Sequence, residues 1–372
     1  MKYYIIAGEA SGDLHGSNLM KGLKKHDTEA TFRILGGDLM ETQGGNLLKH
    51  YRNMAFMGIV SVLQNLKTIK KNLRDCQNDI LEFKPDVVIL IDYPGFNLRI
   101  ARFAKENGFK VFYYISPKIW AWNKGRIKQI KAFVDKLFVI FPFEIDFYKK
   151  YHYSVTFEGN PLIDSVSNFK SQNGEDFLSF TKRNELPEKP ILALLAGSRR
   201  QEIEFCLPDM IEASKEFTDY QIVIAGAPSI EPSFYSRFIA GKNASIVYGQ
   251  TYHLLNNAKM AVVTSGTATL ETALFKVPQV VIYKTQGLTF IIGRSLVWIK
   301  YFSLVNIVAN REVVKEFLQF NLVENIRKEL KKINENESYR SKMIDSYNEI
   351  EQMLGKPGVS ERSAKIMIDS LI

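Results

Sequence analysis

Hydrophobic and polar positions along the chain alternate between short apolar runs and longer amphipathic stretches. The apolar runs are rich in Val, Ile, Tyr and Phe, and each ends near a Gly, Ser, Pro or Asp before a helical pattern begins. Continuous apolar runs of this length are typical of parallel strands that helices cover on both faces. The pattern therefore predicts repeated βα units and an α/β fold.

The predicted strands fall into two groups. They comprise residues 3–7, 32–35, 87–91, 111–115 and 137–141, then 191–196, 221–225, 245–248, 260–264 and 279–283. Residues 167–190 between the groups are polar and without strand periodicity, so we expect a linker there. We expect an N-terminal domain over residues 1–166 and a C-terminal domain over 191–355. The chain after residue 308 reads as helical to its end, and its last helix, about 356–372, is expected to pack on the first domain.

Composition and charge narrow the class of protein. Apolar residues make up 46% of the 372 positions and charged residues 24%, which is the balance of a soluble globular protein. The formal net charge of +9 favours an anionic partner. Charge alone leaves three candidates, namely nucleic acid, a phosphorylated substrate and an acidic lipid surface.

The cysteine and histidine positions indicate no metal site. Cys76 and Cys206 are isolated, which supports neither a disulfide framework nor a zinc site and suits a reducing cytosol. The five histidines lack metal-ligand spacing, and no two aspartates are spaced as a DxD clamp requires. We therefore expect no metal and no other cofactor.

The N-terminus and the apolar segments indicate neither export nor a membrane span. Lys2 is followed by too short an apolar run for a signal peptide. The most apolar region, residues 288–308, is interrupted by Arg294 and Lys300. We therefore expect a cytoplasmic protein that does not cross a bilayer.

The candidate chemistry lies in loops that follow predicted strands, because parallel α/β sheets bind ligands beyond the carboxyl ends of their strands. The first loop, residues 8–13, contains Gly8, Glu9, Ser11 and Asp13. Small residues there allow close approach, and the following helix offers free N–H groups to an anion. The spacing matches neither the dinucleotide nor the P-loop motif. A simple capped helix is the alternative.

A second loop follows residues 87–91 and begins with Asp92. We interpret Asp92 as a general base, because a sugar hydroxyl that attacks an anomeric carbon needs a fixed acceptor for its proton. The alternative is an aspartate that caps the next helix.

A third loop, residues 116–122, combines aromatic and basic side chains. Trp120 lies close in sequence to Lys118, Lys124 and Arg126, and such a group can hold a sugar ring and a phosphate. The alternative is a core tryptophan beneath a solvated basic helix.

The second half of the chain offers a loop suited to a diphosphate. Gly197, Ser198 and Arg199 follow its first strand directly. Guanidinium donors and helix-terminal N–H groups suit a diphosphate leaving group. A surface arginine paired with Glu202 or Glu204 is the alternative.

A further loop of the second half best suits a nucleoside diphosphate. Ser265 ends a strand, Gly266 lets a phosphate approach, and Thr267 opens a helix. Glu271 lies one turn on, where its carboxylate could accept two ribose hydroxyls. A glycine turn with an exposed helical glutamate is the alternative.

Two segments combine apolar and basic residues as membrane-surface helices do. Residues 54–74 include Met57, Val60 and Leu63 among lysines, and residues 290–302 include Trp298. The alternative for both is a core helix with a basic outer face.

Taken together, these motifs resemble the lipid-A-disaccharide synthase family along almost the whole chain. The matching segments, in family order, are residues 8–13, 57–60, 91–92, 96–97, 116–122, 142–144, 197–199, 265–271, 303–304 and 306. The resemblance implies the GT-B architecture, with two Rossmann-like parallel-sheet domains facing a cleft. Gly95 stands where some members carry an acidic residue, which weakens schemes with a second carboxylate near Asp92.

The resemblance also implies a reaction and its partners. It implies transfer of 2,3-diacylglucosamine from UDP to 2,3-diacylglucosamine 1-phosphate, with inversion and a β-1,6 link, on the way to lipid A. The enzyme would lie peripherally on the cytoplasmic face of the inner membrane, and nucleic acid would not be a partner. The residues that the family pattern makes important are Glu9, Ser11, Asp92, Arg199 and Asn306.

Two other functions remain open on the sequence. A UDP-sugar 2-epimerase shares the architecture and also binds UDP, but it needs no lipid. A non-catalytic peripheral lipid-binding protein could keep the fold without turnover.

Overall fold

The computed structural model describes residues 1–54, 65–172, 174–285 and 300–372. They divide into two compact units, one formed by Met1–Ser165 with Leu354–Ile372 and the other by Val166–Met353. Each unit contains one parallel sheet flanked by helices. The predicted α/β class with two Rossmann-like sheets is confirmed.

The sheet of the first unit has the order β3-β2-β1-β4-β5-β6-β7. Its strands are β1 Lys2–Ala7, β2 Thr31–Gly36, β3 Asn46–His50, β4 Val87–Ile91, β5 Lys110–Tyr114, β6 Lys136–Val139 and β7 Thr156–Phe157. The helices between them are α1 Ala10–His26, α2 Asp38–Thr42, α3 Leu66–Phe83, α4 Pro94–Glu106, α5 Ile127–Phe133 and α6 Pro142–Lys149.

The sheet of the second unit has the order β10-β9-β8-β11-β12-β13. Its strands are β8 Ile191–Leu195, β9 Gln221–Gly226, β10 Ser245–Tyr248, β11 Ala258–Thr264, β12 Gln279–Tyr283 and β13 Glu316–Leu318. The remaining helices are α7 Leu162–Gln172, α8 Phe177–Arg183, α9 Arg200–Ser214, α10 Pro232–Ile239, α11 Thr251–Asn257, α12 Ala268–Leu274, α13 Leu304–Ala309, α14 Leu322–Glu335, α15 Glu337–Leu354 and α16 Val359–Asp369.

The central strand β4 shows why these sequences form buried parallel strands. Side chains alternate between the two faces of a strand. Val88 and Leu90 accordingly pack in one core cluster of the first unit, whereas Val87, Ile89 and Ile91 pack in the other. Because both faces are covered, the strand is apolar at every position rather than at every second one.

The sequence missed the short strands β3, β7 and β13, which lie at sheet edges. Strand β3 has the sequence Asn-Leu-Leu-Lys-His, and β13 has only three residues. Edge strands are half exposed and short, so they lack a long apolar run. The expectation that the chain is wholly helical after residue 308 is therefore wrong.

The segments at the unit boundaries form regular structure. Residues 167–190, expected as a linker, contain the end of α7 and all of α8. The last helix, α16, packs on α1 in the first unit, where a side chain at Gly22 would lie 2.9 Å from the Cα of Glu361. The buried Asp164 carboxylate accepts the N–H groups of Gly358, Val359 and Ser360 at 2.7–3.0 Å and so caps α16.

Among the helices of the described residues, none combines the length and the apolar character needed to cross a membrane.

Candidate active site

The strand order of each sheet reverses at one point, between β1 and β4 in the first unit and between β8 and β11 in the second. Doubly wound sheets bind ligands in the crevice at such a switch point. The loops that follow these four strands are four of those that the sequence singled out. Because β1 pairs with β4 and β8 pairs with β11, the loop with Glu9 follows the strand next to that of Asp92, and the loop with Arg199 follows the strand next to that of Ser265.

Asp92 follows β4 with its backbone in the left-handed region, at φ 42°, and Tyr93 continues there at φ 48°. Non-glycine residues rarely adopt this conformation, which costs of order 1 kcal/mol or more each. The Asp92 carbonyl accepts hydrogen bonds from Asn97 Nδ2, at 2.8 Å, and from the Tyr113 hydroxyl. These two donors hold the strained backbone in place and so fix the position of the Cα atom from which the Asp92 side chain extends. Tyr93, not Asp92, occupies the N-cap position of α4.

The loop after β1 contacts the loop after β4. A Cβ atom at Gly8 would lie 2.3 Å from the ring of Tyr93, so only glycine allows this approach. The Tyr93 hydroxyl donates to the Met54 carbonyl at 2.8 Å. Burial, together with the nearby Glu9 charge, raises the pKa of Tyr93 to about 12. Ser11 is exposed in the first turn of α1.

Asp13 has a structural role in this region. Its buried carboxylate accepts the N–H groups of Gly37, Leu39 and Met40 at 2.9–3.1 Å. It therefore caps the neighbouring helix α2, not the helix on which it lies.

Glu144 is a buried carboxyl group that the sequence reasoning did not assign to the site. Its carboxylate accepts the N–H groups of Ile140 and Phe141 at 3.0 Å each, at the start of α6. Burial raises its pKa to about 7, although these N–H groups and the side chains of Trp120 and Ser116 oppose the shift. A glutamate two residues after a strand-end proline was the available signal.

The aromatic and basic loop after β5 is partly ordered by ring contacts. Trp120 is partly buried and packs edge to face on Phe143, with ring centroids 5.0 Å apart. The Arg126 guanidinium lies 4.8 Å from the ring centroid of Trp122, which is 47% exposed. Lys118 is half-buried and Lys124 is exposed.

In the second unit, a carboxylate lies where the sequence predicts a bound diphosphate. Glu202 accepts the N–H groups of Ser198, at 3.0 Å, and Arg199, at 3.3 Å, and also pairs with Arg199 Nη1 at 3.0 Å. Gly197 turns the chain at φ 107°, and a Cβ there would lie 2.4 Å from Glu202 Oε2. The Glu202 carboxylate thus fills an anion position at the start of α9. Glu204 pairs instead with Arg237, at 2.7 Å.

Helix α12, which follows the loop after β11, holds Glu271 in a partly buried position. The Tyr252 hydroxyl donates to Glu271 Oε1 at 2.9 Å, and burial raises the pKa of Glu271. Space remains beside Gly266, where a Cβ would meet no atom closer than 4.0 Å. Thr267 is the N-cap of α12, and the Ser265 hydroxyl donates to the Phe302 carbonyl at 2.7 Å. Glu271 is thus not the exposed glutamate of the alternative interpretation.

Asn306 is completely buried, and its amide is engaged within the protein. Its Nδ2 donates to Val314 O, at 2.8 Å, and to Glu316 Oε1, at 2.7 Å. Its Oδ1 accepts the N–H groups of Val313 and Val314 at 2.7 and 3.0 Å. Contact with a ligand would require one of these bonds to break, so Asn306 suits a positioning role.

Glu316 is a second residue that the sequence reasoning missed. Its carboxylate accepts the N–H groups of Phe302 and Ser303 at 2.8 Å and the Ser303 hydroxyl at 2.7 Å, besides Asn306. It therefore ties residues 302–306 to the edge strand β13. A glutamate in an unrecognised three-residue strand gave no usable pattern.

Part of the predicted site lies outside the described residues. Met57, Val60, Leu63 and Trp298, predicted as acceptor or lipid contacts, belong to this part. In the described ranges, no cluster of three or more His, Cys, Asp or Glu side chains could hold a metal ion.

Comparison with known proteins gives a family match over almost the entire chain. The profile of the family described as lipid-A-disaccharide synthetase matches residues 3–368. The lipid-A-disaccharide synthase of Syntrophus aciditrophicus is 38% identical over 97% of this chain and 95% of its own. That of Myxococcus xanthus is 37% identical over 99% and 97%, respectively.

Solved structures with the same fold are much more distant in sequence. A UDP-GlcNAc 2-epimerase from Neisseria meningitidis, bound to UDP-GlcNAc, superposes with a TM-score of 0.69 over 99% of this chain and 100% of its own, at 13% identity. The glycotransferase of kitacinnamycin superposes with a TM-score of 0.62 over 100% and 99%, at 11% identity. At such identities the likeness shows the fold alone.

Proposed function

The chain belongs to the lipid-A-disaccharide synthase family of glycosyltransferases, and on that premise we propose that it transfers 2,3-diacylglucosamine from UDP to 2,3-diacylglucosamine 1-phosphate. The products would be the β-1,6-linked disaccharide 1-phosphate and UDP. The observation that carries the proposal is that family motifs flank the switch points of both sheets, where this architecture binds ligands.

Asp92 is the proposed general base of the first unit. In a single displacement, the 6-hydroxyl oxygen of the acceptor bonds to the anomeric carbon of the donor while the bond to UDP breaks. The hydroxyl proton passes to the Asp92 carboxylate, and attack opposite the leaving group inverts the anomeric carbon. The strained backbone at Asp92, held by Asn97 and Tyr113, supports this role because it fixes the acceptor of the proton. Glu9, at the N-cap of α1, and Ser11, in the first turn of that helix, follow the adjacent strand β1 and would contact the same substrate.

The second unit is proposed to bind the UDP part of the donor. The Arg199 guanidinium and the N–H groups of Ser198 and Arg199 would bind the diphosphate once Glu202 leaves them, and Gly197 would supply the turn that presents these groups. Glu271 would accept the ribose hydroxyls.

The loop after β11 and the residues that support it complete the proposed donor site. Ser265, Gly266 and Thr267 would contact a phosphate, since Gly266 leaves space beside the loop. Asn306 would hold the neighbouring segment in place through Glu316.

The proposed location is the cytoplasmic face of the inner membrane, with peripheral attachment. The net charge of +9 supports contact with an anionic lipid surface. The apolar and basic segments 54–74 and 290–302 are the proposed points of contact.

An assay of the purified protein in detergent tests this function. The protein is incubated with UDP-2,3-diacylglucosamine, with and without 2,3-diacylglucosamine 1-phosphate, in excess EDTA, and UDP and lipid products are measured. We expect disaccharide and UDP only when the acceptor is present, with EDTA without effect. Conversion of UDP-N-acetylglucosamine to its 2-epimer, without disaccharide formation, would contradict the proposal and favour an epimerase.

A further inference from the structure

A cavity of about 300 Å³ opens in the first unit next to the Asp92 loop. Its lining includes Gly95 and Arg99 from α4 and Asn123, Arg126 and Gln129 from the segment that leads into α5. The volume is at the lower end of the range for small-molecule sites. The cavity therefore suits a polar headgroup and not a pair of acyl chains.

The cavity is lined by two cations and, in the described part of the chain, by no acidic side chain. Neither the Arg99 nor the Arg126 guanidinium has a carboxylate partner among the described residues. One turn along the same helix, Arg102 is paired with Glu106 at 2.8 Å. Two guanidinium groups facing one cavity repel each other, and a bound anion would replace that repulsion with attraction.

Arg126 is held in place and partly removed from water. Its guanidinium lies over the Trp122 ring at 4.8 Å, an arrangement that restricts the side chain. Burial lowers the pKa of Arg126 below its ordinary value. A partly desolvated cation without a counter-ion gains more from an anionic ligand than a solvated one does.

The cavity is adjacent to the proposed base. The Tyr113 hydroxyl donates to the Asp92 carbonyl, and the charges of both Asp92 and Arg126 act on Tyr113. Gly95, in the lining, is three residues after Asp92, in the first turn of α4. An acceptor bound here would place its anionic end near the arginines and another part of its ring near Asp92.

We propose that this cavity binds the phosphomonoester of the acceptor sugar, with Arg99 and Arg126 as its two cationic ligands. The proposal rests on the proposed function, because it names the site for one substrate of that reaction. A phosphomonoester carries a charge of about −1.5 to −2 at neutral pH and offers three acceptor oxygens. Two guanidinium forks match these oxygens, whereas the acyl chains would remain outside the cavity.

Binding without turnover provides the first test. Glucosamine 1-phosphate and glucosamine are titrated separately into the wild-type protein and the variants Arg99→Gln, Arg126→Lys and Arg102→Gln, and binding is followed by ligand-observed NMR. We expect the wild type to bind glucosamine 1-phosphate and not glucosamine. Arg99→Gln and Arg126→Lys should each weaken binding about tenfold or more, because each loses charge-assisted hydrogen bonds. Arg102→Gln is the matched control and should bind like the wild type.

Kinetics provide the second test. For the phosphorylated acceptor, Arg99→Gln and Arg126→Lys should raise KM about tenfold, with kcat and the KM for the UDP donor little changed. With 2,3-diacylglucosamine as acceptor, these variants and the wild type should have equal kcat/KM. If both variants prefer the phosphorylated acceptor over 2,3-diacylglucosamine by the same factor in kcat/KM as the wild type does, the proposal is overturned.

Three further outcomes separate the possible causes of failure. If the wild type and the two arginine variants bind glucosamine 1-phosphate equally well, the proposed site is wrong, whatever the turnover. Arginine-dependent binding without disaccharide formation supports the site and refutes the proposed function. Arginine-dependent binding to phosphatidylglycerol vesicles, with glucosamine 1-phosphate binding unaffected, would instead assign the cavity to a lipid headgroup and overturn the proposal.

Discussion

The two switch points of the molecule use different physical means to prepare their loops. In the first unit, the two residues that directly follow β4, Asp92 at φ 42° and Tyr93 at φ 48°, are non-glycine residues with left-handed backbone. In the second unit, the described residues of the loops after β8 and β11 include one with a positive φ. It is Gly197, two residues after β8. Its loop is held by an internal carboxylate, Glu202, bound to backbone N–H groups. One site stores backbone strain, and the other already contains an anion.

The difference follows from what each site is proposed to do. A group that accepts a proton must be fixed before the reaction, and strain that the surrounding packing maintains fixes it at a cost of 1–3 kcal/mol or so. A site that binds a leaving group must also release it. An internal carboxylate satisfies the N–H groups when the leaving group is absent, and competes with it when it returns.

The largest expected effect tests the fixed base of the first unit. Asp92→Asn keeps the shape of the side chain but removes its ability to accept a proton, so we expect turnover to fall about 100- to 10,000-fold. UDP affinity should not change, because the proposed UDP site belongs to the second unit. Initial rates and UDP titrations measure the two quantities.

Asp86→Asn is the matched control for this experiment. Asp86 lies just before β4, at the opposite end of the strand from Asp92, and accepts the Lys2 N–H at 2.7 Å. We expect nearly normal turnover from this variant. Full turnover of Asp92→Asn with unchanged UDP affinity would remove Asp92 from the role of base.

A second prediction tests whether buried groups make the first unit sensitive to pH. The folded-state pKa of Glu144 is raised from 4.5 to about 7, so the fold favours its protonated form. The stability that this preference contributes is complete below about pH 4.5 and is lost as pH rises through about 7. The loss amounts to up to about 3 kcal/mol in the free energy of unfolding.

The Glu144→Gln variant isolates this contribution. Denaturant unfolding of both proteins between pH 4.5 and 8 should show the wild type losing stability relative to the variant as pH rises. A difference that stays constant over this range would mean that Glu144 ionises normally within the fold, through its bonds to the Ile140 and Phe141 N–H groups.

The central strands and the loops after them could be predicted from the sequence, whereas the contacts that hold these loops could not. Long apolar runs such as residues 87–91 and 191–196 identified the central strands, because strands that are buried on both faces are apolar at every position. The positions of the candidate ligand-binding loops followed from the topology, because parallel sheets bind ligands beyond the carboxyl ends of their strands. The edge strand β13 and the role of Glu316 could not be predicted, since three half-exposed residues carry no periodic pattern. The position of Asp92 at a strand end was predicted, and its role as a base stays a prediction. The strain at φ 42° depends on Asn97 and Tyr113, which only tertiary structure brings to the Asp92 carbonyl.

The smallest expected effect concerns the anion position of the second unit. Glu202→Gln removes the charge that competes with a diphosphate for the Ser198 and Arg199 N–H groups, so we expect UDP to bind roughly fivefold more tightly. The same change weakens the start of α9 and should lower stability by about 0.5–1 kcal/mol. Glu204→Gln is the control, because Glu204 lies on the same helix but pairs with Arg237. UDP titration and thermal unfolding measure both effects. Weaker UDP binding by Glu202→Gln would mean that Glu202 orients Arg199 for the ligand rather than occupying its place.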